Sequence, residues 1–250
     1  MIFAAGMGTR LKPLTDIIPK ALIPVAGKPL LQRVLERVDG KGNRIVVNIH
    51  HHADQIRNFL DITRHHWMSD ISVSDESEKL LETGGGIRKA SLLFTNGEPV
   101  LIHNYDIISN ADLDAFYQQS HGNDATLLVS SRKTQRYLLF DDTMRLVGWT
   151  NITTGEVKSP YPEIVALSGY NDTETLLSHS LHMYAFSGIH TINPSMFTVM
   201  DQWPERFPIM DFYLQSCKDH VIRGIVSDDL RLLDVGKLDT LASAEEFMEE

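Results

Sequence analysis

Residues 4 to 15 read Ala4-Ala5-Gly6-Met7-Gly8-Thr9-Arg10-Leu11-Lys12-Pro13-Leu14-Thr15, and Pro19-Lys20-Ala21-Leu22-Ile23-Pro24-Val25 follows shortly after. A short apolar strand, Met1 to Ala4, runs straight into Gly6 and Gly8, which carry no Cβ and let successive backbone amides turn toward a ligand. Such a nest of N–H groups suits a triphosphate. Arg10 adds a forked guanidinium and Lys20 a point charge. Two other phosphate motifs fail on spacing: the dinucleotide fingerprint needs a third glycine where Leu11 stands, and no Gly-Lys-Ser/Thr closes a Walker loop. Taken alone, the two glycines fit an ordinary strand-to-turn junction equally well.

Outward from this loop, short apolar runs alternate with helical spacing. Ile45 to Ile49, Ile71 to Ser74, Val100 to His103 and Thr126 to Val129 read as strands. Between them Leu30, Leu31, Val34, Leu35 and Val38 share one face of a 3.6-residue period, as do Ile56, Phe59 and Leu60, and Leu113, Phe116 and Tyr117. This rhythm predicts an α/β fold with a Rossmann-like, doubly wound mixed sheet, and places ligands at the carboxyl ends of its strands. Past residue 131, Leu138 to Phe140 and Leu146 to Trp149 read as a hairpin, Thr150 to Ser180 as a polar lobe, and His182 to Ile192 as a strand pair bent at Gly188. Helices near Pro194 to Met200 and Ile209 to Cys217, a strand at Arg231 to Asp234 and a helix from about Thr240 complete the pattern. The expectation is one domain over 1–250, with a nucleotide-binding core (1–130), a smaller lobe (131–192) and a closing segment (193–250). No hexapeptide period announces a β-helix.

Composition narrows the function classes. The 250 residues are 42% hydrophobic and 22% charged, and 23 basic against 33 acidic side chains leave a net charge of -10. A chain of this length buries about 70 to 75% of its unfolded surface, so it needs no staples. Cys217 has no partner for a bridge, and no run of about 18 apolar residues marks a membrane span. A cytoplasmic protein is expected, with neither membrane nor nucleic acid as partner, since non-specific nucleic-acid binding rests on clustered Lys and Arg. Monomer and homo-oligomer stay equally open.

Read whole, Gly6-X-Gly8-Thr9-Arg10-X-X-Pro13-Leu14-Thr15 with Pro19-Lys20-X-Leu22-X-Pro24-Val25 and Lys28-Pro29-Leu30 resembles the signature of the sugar-1-phosphate nucleotidyltransferases. The resemblance continues in order through Glu82-Thr83-Gly84-Gly85-Gly86-Ile87, Asn104-Tyr105-Asp106, Phe186-Ser187-Gly188-Ile189 and Leu233-Asp234-Val235-Gly236-Lys237. It is strongest to the short bacterial branch that acts on N-acetylmuramate or mannose 1-phosphate. The resemblance implies transfer of a nucleotidyl group from a nucleoside triphosphate to a sugar 1-phosphate, a Mg2+ cofactor held by Asp106 and Asp234, and a place in nucleotide-sugar supply for cell-envelope polysaccharide. Ala5, Gly6, Gly8, Thr9 and Arg10 would hold the triphosphate, Lys20 would reach the α-phosphate and the sugar phosphate, and Gly84 and Gly85 would lie under the base. For the glycine pair, a turn entering a helix at Ile87 to Phe94 is the plainer alternative. Asp106 and Asp234, each ending an apolar run, also fit simple turn caps.

The sugar side is thinner. Asn104 could bond a sugar hydroxyl, Asn151 and Glu156 are candidates by composition, and Gly188 matches the family's sugar-floor glycine or, equally, a strand bend. The Glu-Lys-Pro whose lysine clamps the sugar phosphate in longer members is absent, and Lys158 is a candidate substitute. Tyr105 stands where a small residue is usual, which would narrow the sugar pocket. The first strand is shorter than the family usual, as a trimmed start would make it. His50-His51-His52 reads as a polar strand end, since contiguous residues on a strand face opposite ways and cannot all converge on one ion. Two rival functions stay open: a cytidylyltransferase acting on a phosphocholine-type substrate, and a non-catalytic protein that kept the fold.

Overall fold

The computed structural model describes residues 1–42, 44–94, 97–169, 176, 180–236 and 238–249. The chain opens with β1 (Ile2–Phe3), a loop, the small hairpin β2 (Pro24–Val25) and β3 (Lys28–Pro29), and α1 (Leu30–Val38). Then come β4 (Arg44–Ile49), α2 (Ala53–Thr63), β5 (Asp70–Asp75), α3 (Glu82–Ala90), β6 (Val100–Asn104), β7 (Ile107–Ser109), α4 (Leu113–Gln119) and β8 (Ala125–Ser130). In space these give a parallel half-sheet in the order β6-β1-β4-β5. The second half adds β9 (Arg136–Phe140), β10 (Leu146–Asn151), β11 (Glu156–Lys158), β12 (His182–Ile192), β13 (Ile222–Val226) and β14 (Leu232–Asp234). β12 runs antiparallel to β6, β8 and β9, the hairpin β9-β10 carries β11 at the edge, and β13 lies parallel to β8. The lobe strands thus continue the core sheet, ten strands in all among the described residues.

Alternation along the strands explains why helices cover both faces. Met1, Phe3 and Val46 point into a core with α3 and the helices Ser195–Met200 and Ile209–Ser216. Ile2, Ala4, Ile45, Val47 and Ile49 point the other way, onto α1, α2 and the helix Leu238–Glu249. Successive strand residues face opposite sides, so each parallel strand reads as a continuous apolar run. The apolar face foreseen for α1 is the one buried: Leu30, Leu31, Val34 and Leu35 are within 2% of full burial. None of the described helices is long and apolar enough to cross a membrane.

Three elements differ from the sequence reading. β12 is one strand, not a pair; its register shifts between Phe186 and His190, and Gly188 takes φ 78° at this bulge. β13 was not anticipated, because Gly224 interrupts its apolar run. Gly84, Gly85 and Gly86 lie inside α3, where a turn before Ile87 was expected. Glycine is a poor helix former, yet packing overrides propensity here. A Cβ on Gly84 would fall 2.2 Å from the Phe207 ring, and one on Gly85 2.4 Å from the Glu205 carbonyl oxygen. The amides of both donate to the Phe207 carbonyl, at 2.9 and 3.2 Å.

The larger core also buries a titratable pair. His190 Nδ1 lies 2.8 Å from the Tyr213 hydroxyl, and both residues are almost fully buried. Burial holds the His190 imidazole down at about 3 and drives the Tyr213 phenol well up, so both stay neutral. The unfolded chain binds a proton near pH 6.5 that the folded chain refuses. Stability from this group is complete above about pH 6.5 and is lost as pH falls toward the folded value, at up to about 1.4 kcal/mol per pH unit. Urea unfolding between pH 7.5 and 5 should show this slope, and His190→Asn should flatten it by close to one proton; an unchanged slope in the variant would exclude His190 as its source.

Candidate active site

The loop after β1 is shaped by its glycines. Gly8 takes φ 63°, and a Cβ there would lie 2.8 Å from Thr15 Cγ2 and 2.9 Å from Lys20 Cβ. Only glycine meets both the left-handed backbone and the close approach. Its carbonyl accepts from Leu11 N at 2.9 Å and from the buried Thr15 hydroxyl at 3.0 Å, closing a short 3-10 turn over Thr9–Leu11. Gly6, Thr9 and Arg10 are left exposed on the rim of a cleft of about 580 Å³, with Ala5 and the buried Lys20 also on its wall.

Backbone pairing brings the two aspartates together. β7 and β14 form a two-stranded ribbon in which Asp234 lies opposite Ile107, and Val235 N donates to the Asp106 carbonyl at 2.9 Å. Asp106 Oδ2 accepts from Lys20 Nζ, whose side chain is only 5% exposed. Asp234 and Arg10 both flank Gly236 on the other side: a Cβ there would lie 2.8 Å from Asp234 Oδ1 and 3.1 Å from Arg10 Nη2. Partial desolvation and then the Asp106 charge raise the proton affinity of Asp234, while Lys20, Arg10 and Arg132 oppose them. Four groups expected from widely separated segments thus converge.

A buried polar relay supports the loop from behind. Asn48, on β4, accepts from Ala4 N at 2.7 Å and donates to Glu76 Oε1 at 2.7 Å, and Glu76 Oε2 accepts from Leu81 N at 3.1 Å. Burial raises the Glu76 carboxyl, and these hydrogen bonds partly offset it. A Cβ on Gly86 would sit 2.8 Å from Glu76 Oε1, so α3 can pack against the carboxylate only through glycine. The three histidines also face inward to this region. His50 Nδ1 lies 2.6 Å from the Glu76 carbonyl, and His51 and His52 Nε2 lie 3.1 and 3.3 Å from that of Thr15. Sequence reasoning missed Asn48, Glu76 and this use of the histidines; the one available signal was a polar residue inside an apolar strand.

Other expected residues divide. Asn104 lines the cleft, and Gly188 lies against it, with a Cβ position 2.9 Å from Asn104 Nδ2. Gly84 and Gly85 do not line the cleft, because the 205–207 segment occupies their open face; Glu82 and Thr83 line it instead. Asn151 and Glu156 pair across the β10-β11 edge and do not line it either. Asn151 is spent on the Thr153 amide at 3.0 Å, and Lys158 reaches Glu156 at 3.7 Å while lying over the Trp149 ring at 5.2 Å. Tyr105 lines the cleft from a buried position, its hydroxyl 3.3 Å from the Cβ position of Gly6. Lys237 lies outside the described residues.

The donor set fits magnesium. Asp106 and Asp234 offer hard carboxylate oxygens, and burial first, then the Asp106 charge, raises the proton affinity of Asp234. Among the described residues no cluster of three or more His, Cys, Asp or Glu could hold an ion. That suits an ion taking one or two carboxylates and filling its shell with water and phosphate.

Comparison with known proteins agrees in fold and family. The nucleotidyl transferase family model matches residues 1–137. The chain is 44% identical over 110 residues to the N-acetylmuramate alpha-1-phosphate uridylyltransferase of Caulobacter vibrioides, covering 43% of this chain and 45% of that protein. It is 32% identical over 134 residues to mannose-1-phosphate guanylyltransferase 1 of Arabidopsis thaliana, covering 52% and 37%. The aligned chain thus spans about half or less of these relatives. The crystal structure of HddC from Yersinia pseudotuberculosis superposes with a TM-score of 0.73 at 21% identity, covering 99% of this chain and 97% of that one, which shows a shared fold.

The relay yields a stability prediction. Asn48→Ala leaves the Ala4 amide and Glu76 Oε1 without a buried partner, and should cost about 2 to 4 kcal/mol in urea unfolding at pH 7. A loss under about 0.5 kcal/mol would mean that the relay is not structural.

Proposed function

The chain belongs to the nucleotidyl transferase family, and we propose that it transfers a nucleotidyl group from a nucleoside triphosphate to a sugar 1-phosphate, releasing pyrophosphate. The observation that carries this reading is the convergence of Arg10, Lys20, Asp106 and Asp234 beside a glycine-shaped loop. The names of the relatives support two substrate pairs, UTP with N-acetylmuramate 1-phosphate and GTP with mannose 1-phosphate. The proposed setting is cytoplasmic supply of nucleotide sugars for cell-envelope polysaccharide.

Both reactants are polyanions, so the barrier is repulsion and alignment. The reaction needs no nucleophilic side chain, because an oxygen of the sugar phosphate attacks the α-phosphorus while the bond to the bridging β-oxygen breaks and pyrophosphate leaves with the electron pair. The amides of Ala5, Gly6 and Gly8, with the Thr9 backbone and the Arg10 guanidinium, hold the triphosphate tail and take up charge on the leaving pyrophosphate. Lys20, held at the cleft wall by Asp106, presents its ammonium to the α-phosphate. Asp106 and Asp234 would hold Mg2+, which when bound supplies charge neutralisation across the phosphates. Asn104 is placed to bond the sugar beside Gly188. Glu82 and Thr83 at the opening of α3, which line the cleft, would lie near the base.

The test is pyrophosphate release across UTP, GTP, CTP, ATP and dTTP against N-acetylmuramate, mannose, glucose and N-acetylglucosamine 1-phosphates, with phosphocholine as a further acceptor. Magnesium-dependent release is expected with a sugar 1-phosphate. Asp106→Asn or Asp234→Asn should abolish it in a folded protein, and Arg10→Ala or Lys20→Ala should lower kcat/KM by about a hundredfold or more. Full activity in either aspartate variant would sink the metal assignment, and turnover with phosphocholine alone would replace the sugar reading.

A further inference from the structure

The proposed reaction brings two polyanions into one cleft, yet of the cations already described there Lys20 is paired with Asp106 and Arg10 belongs to the loop given to the triphosphate. The sugar phosphate therefore calls for another positive group. Lys158, the candidate from sequence, is held by Glu156 and Trp149 at the far sheet edge.

Arg132 is placed where Lys158 is not. β8 and β6 both run antiparallel to β12, so their carboxyl ends open on the same side of the sheet. Arg132 stands two residues beyond the end of β8, as Asp106 stands two beyond the end of β6. Its Nη2 donates to the Phe186 carbonyl at 2.9 Å, which fixes the guanidinium next to Ser187-Gly188, the segment that abuts Asn104. The side chain is exposed, and among the described residues no carboxylate forms an ion pair with it. A guanidinium carries five N–H donors in a planar fork, so one bond to a carbonyl leaves others for phosphate oxygens.

Resting on the transferase reading above, we propose that Arg132 binds the phosphate of the sugar 1-phosphate and takes the part of the missing clamp lysine. The contact with Phe186 holds the guanidinium beside Ser187-Gly188, the segment next to Asn104 on the cleft wall. The acceptor phosphate is then held between Arg132 and Lys20, with the nucleotide on the far side of Lys20.

Initial-rate kinetics on the full chain with magnesium test this, using whichever pair the wild type turns over among UTP with N-acetylmuramate 1-phosphate and GTP with mannose 1-phosphate. Arg132→Gln keeps an amide donor for the Phe186 carbonyl and removes the charge; Arg132→Lys restores the charge without the fork; Arg64→Ala, on the turn after α2, controls for net charge. Arg132→Gln should raise KM for the sugar 1-phosphate about ten- to a hundredfold and leave KM for the triphosphate within about twofold, and Arg132→Lys should recover part of the loss. A sugar 1-phosphate KM within about twofold of wild type in Arg132→Gln, or a KM change confined to the triphosphate, would overturn the proposal and leave Arg132 as a strand latch. A folded wild type silent with every pair would overturn instead the transferase reading beneath it.

Discussion

Two carboxylates held side by side repel each other, and the architecture around the cleft is organised to sustain that arrangement. The β7-β14 ribbon sets Asp234 against Ile107 and ties Val235 to the Asp106 carbonyl, so backbone hydrogen bonds, not the side chains, enforce the proximity. Burial, and after it the neighbouring Asp106 charge, raises the proton affinity of Asp234 in spite of three cations nearby. Lys20 relieves Asp106 from a buried position, and burying that ammonium is tolerable because it is paired there. On the proposed function, paired carboxylates with adjoining cations would serve a divalent ion on one side and phosphate on the other.

The phosphate side depends on a longer mechanical chain. Arg10 and Lys20 can face the aspartates only if the loop between them keeps its shape, and that shape is fixed at both ends. At the front, Gly8 and the buried Thr15 hydroxyl close the turn, with His51 and His52 on the Thr15 carbonyl. At the root, Asn48 grips the Ala4 amide and is itself held by Glu76. Such a relay is stabilising only when every member is satisfied, and here Leu81 and the glycine surface of α3 complete it. Gly86 admits Glu76, while Gly84 and Gly85 admit the 205–207 segment, so one short helix braces the loop and closes the larger core.

What was legible in the sequence follows from the range of each interaction. Periodicity revealed β4, α1, α2 and the β9-β10 hairpin, because alternation and the 3.6-residue stripe are local signatures of burial. Gly6, Gly8, Arg10 and Lys20 stood out by residue type and Asp106 and Asp234 by the resemblance, and the fold brings their segments together. Gly84 and Gly85 were misplaced, since their reason is contact with Phe207, more than a hundred residues away. Asn151, Glu156 and Lys158 were chosen on composition alone, and nothing local told that they would pair among themselves at a sheet edge. Asn48 and Glu76 escaped notice for the same reason: a buried polar residue declares its purpose only when its partner is known.

The division of the site along the chain has a consequence for how its parts can vary. Residues 1–137, the span matched by the family model, hold the loop, Lys20, Asp106 and Arg132. Asp234 comes from outside that span and is delivered by three ladder positions on β7. Backbone pairing is indifferent to most side chains, so the closing segment can diverge widely and still return a carboxylate to the same place. The Asn104 side of the cleft is built differently, against β12, whose bulge at Gly188 sets how near it comes to Asn104 and where the Phe186 carbonyl points. On the proposed function, changes in the lobe strands that shift this bulge would move that side while leaving the loop, Lys20 and the two aspartates in place, and so would separate acceptor choice from the chemistry that all acceptors share.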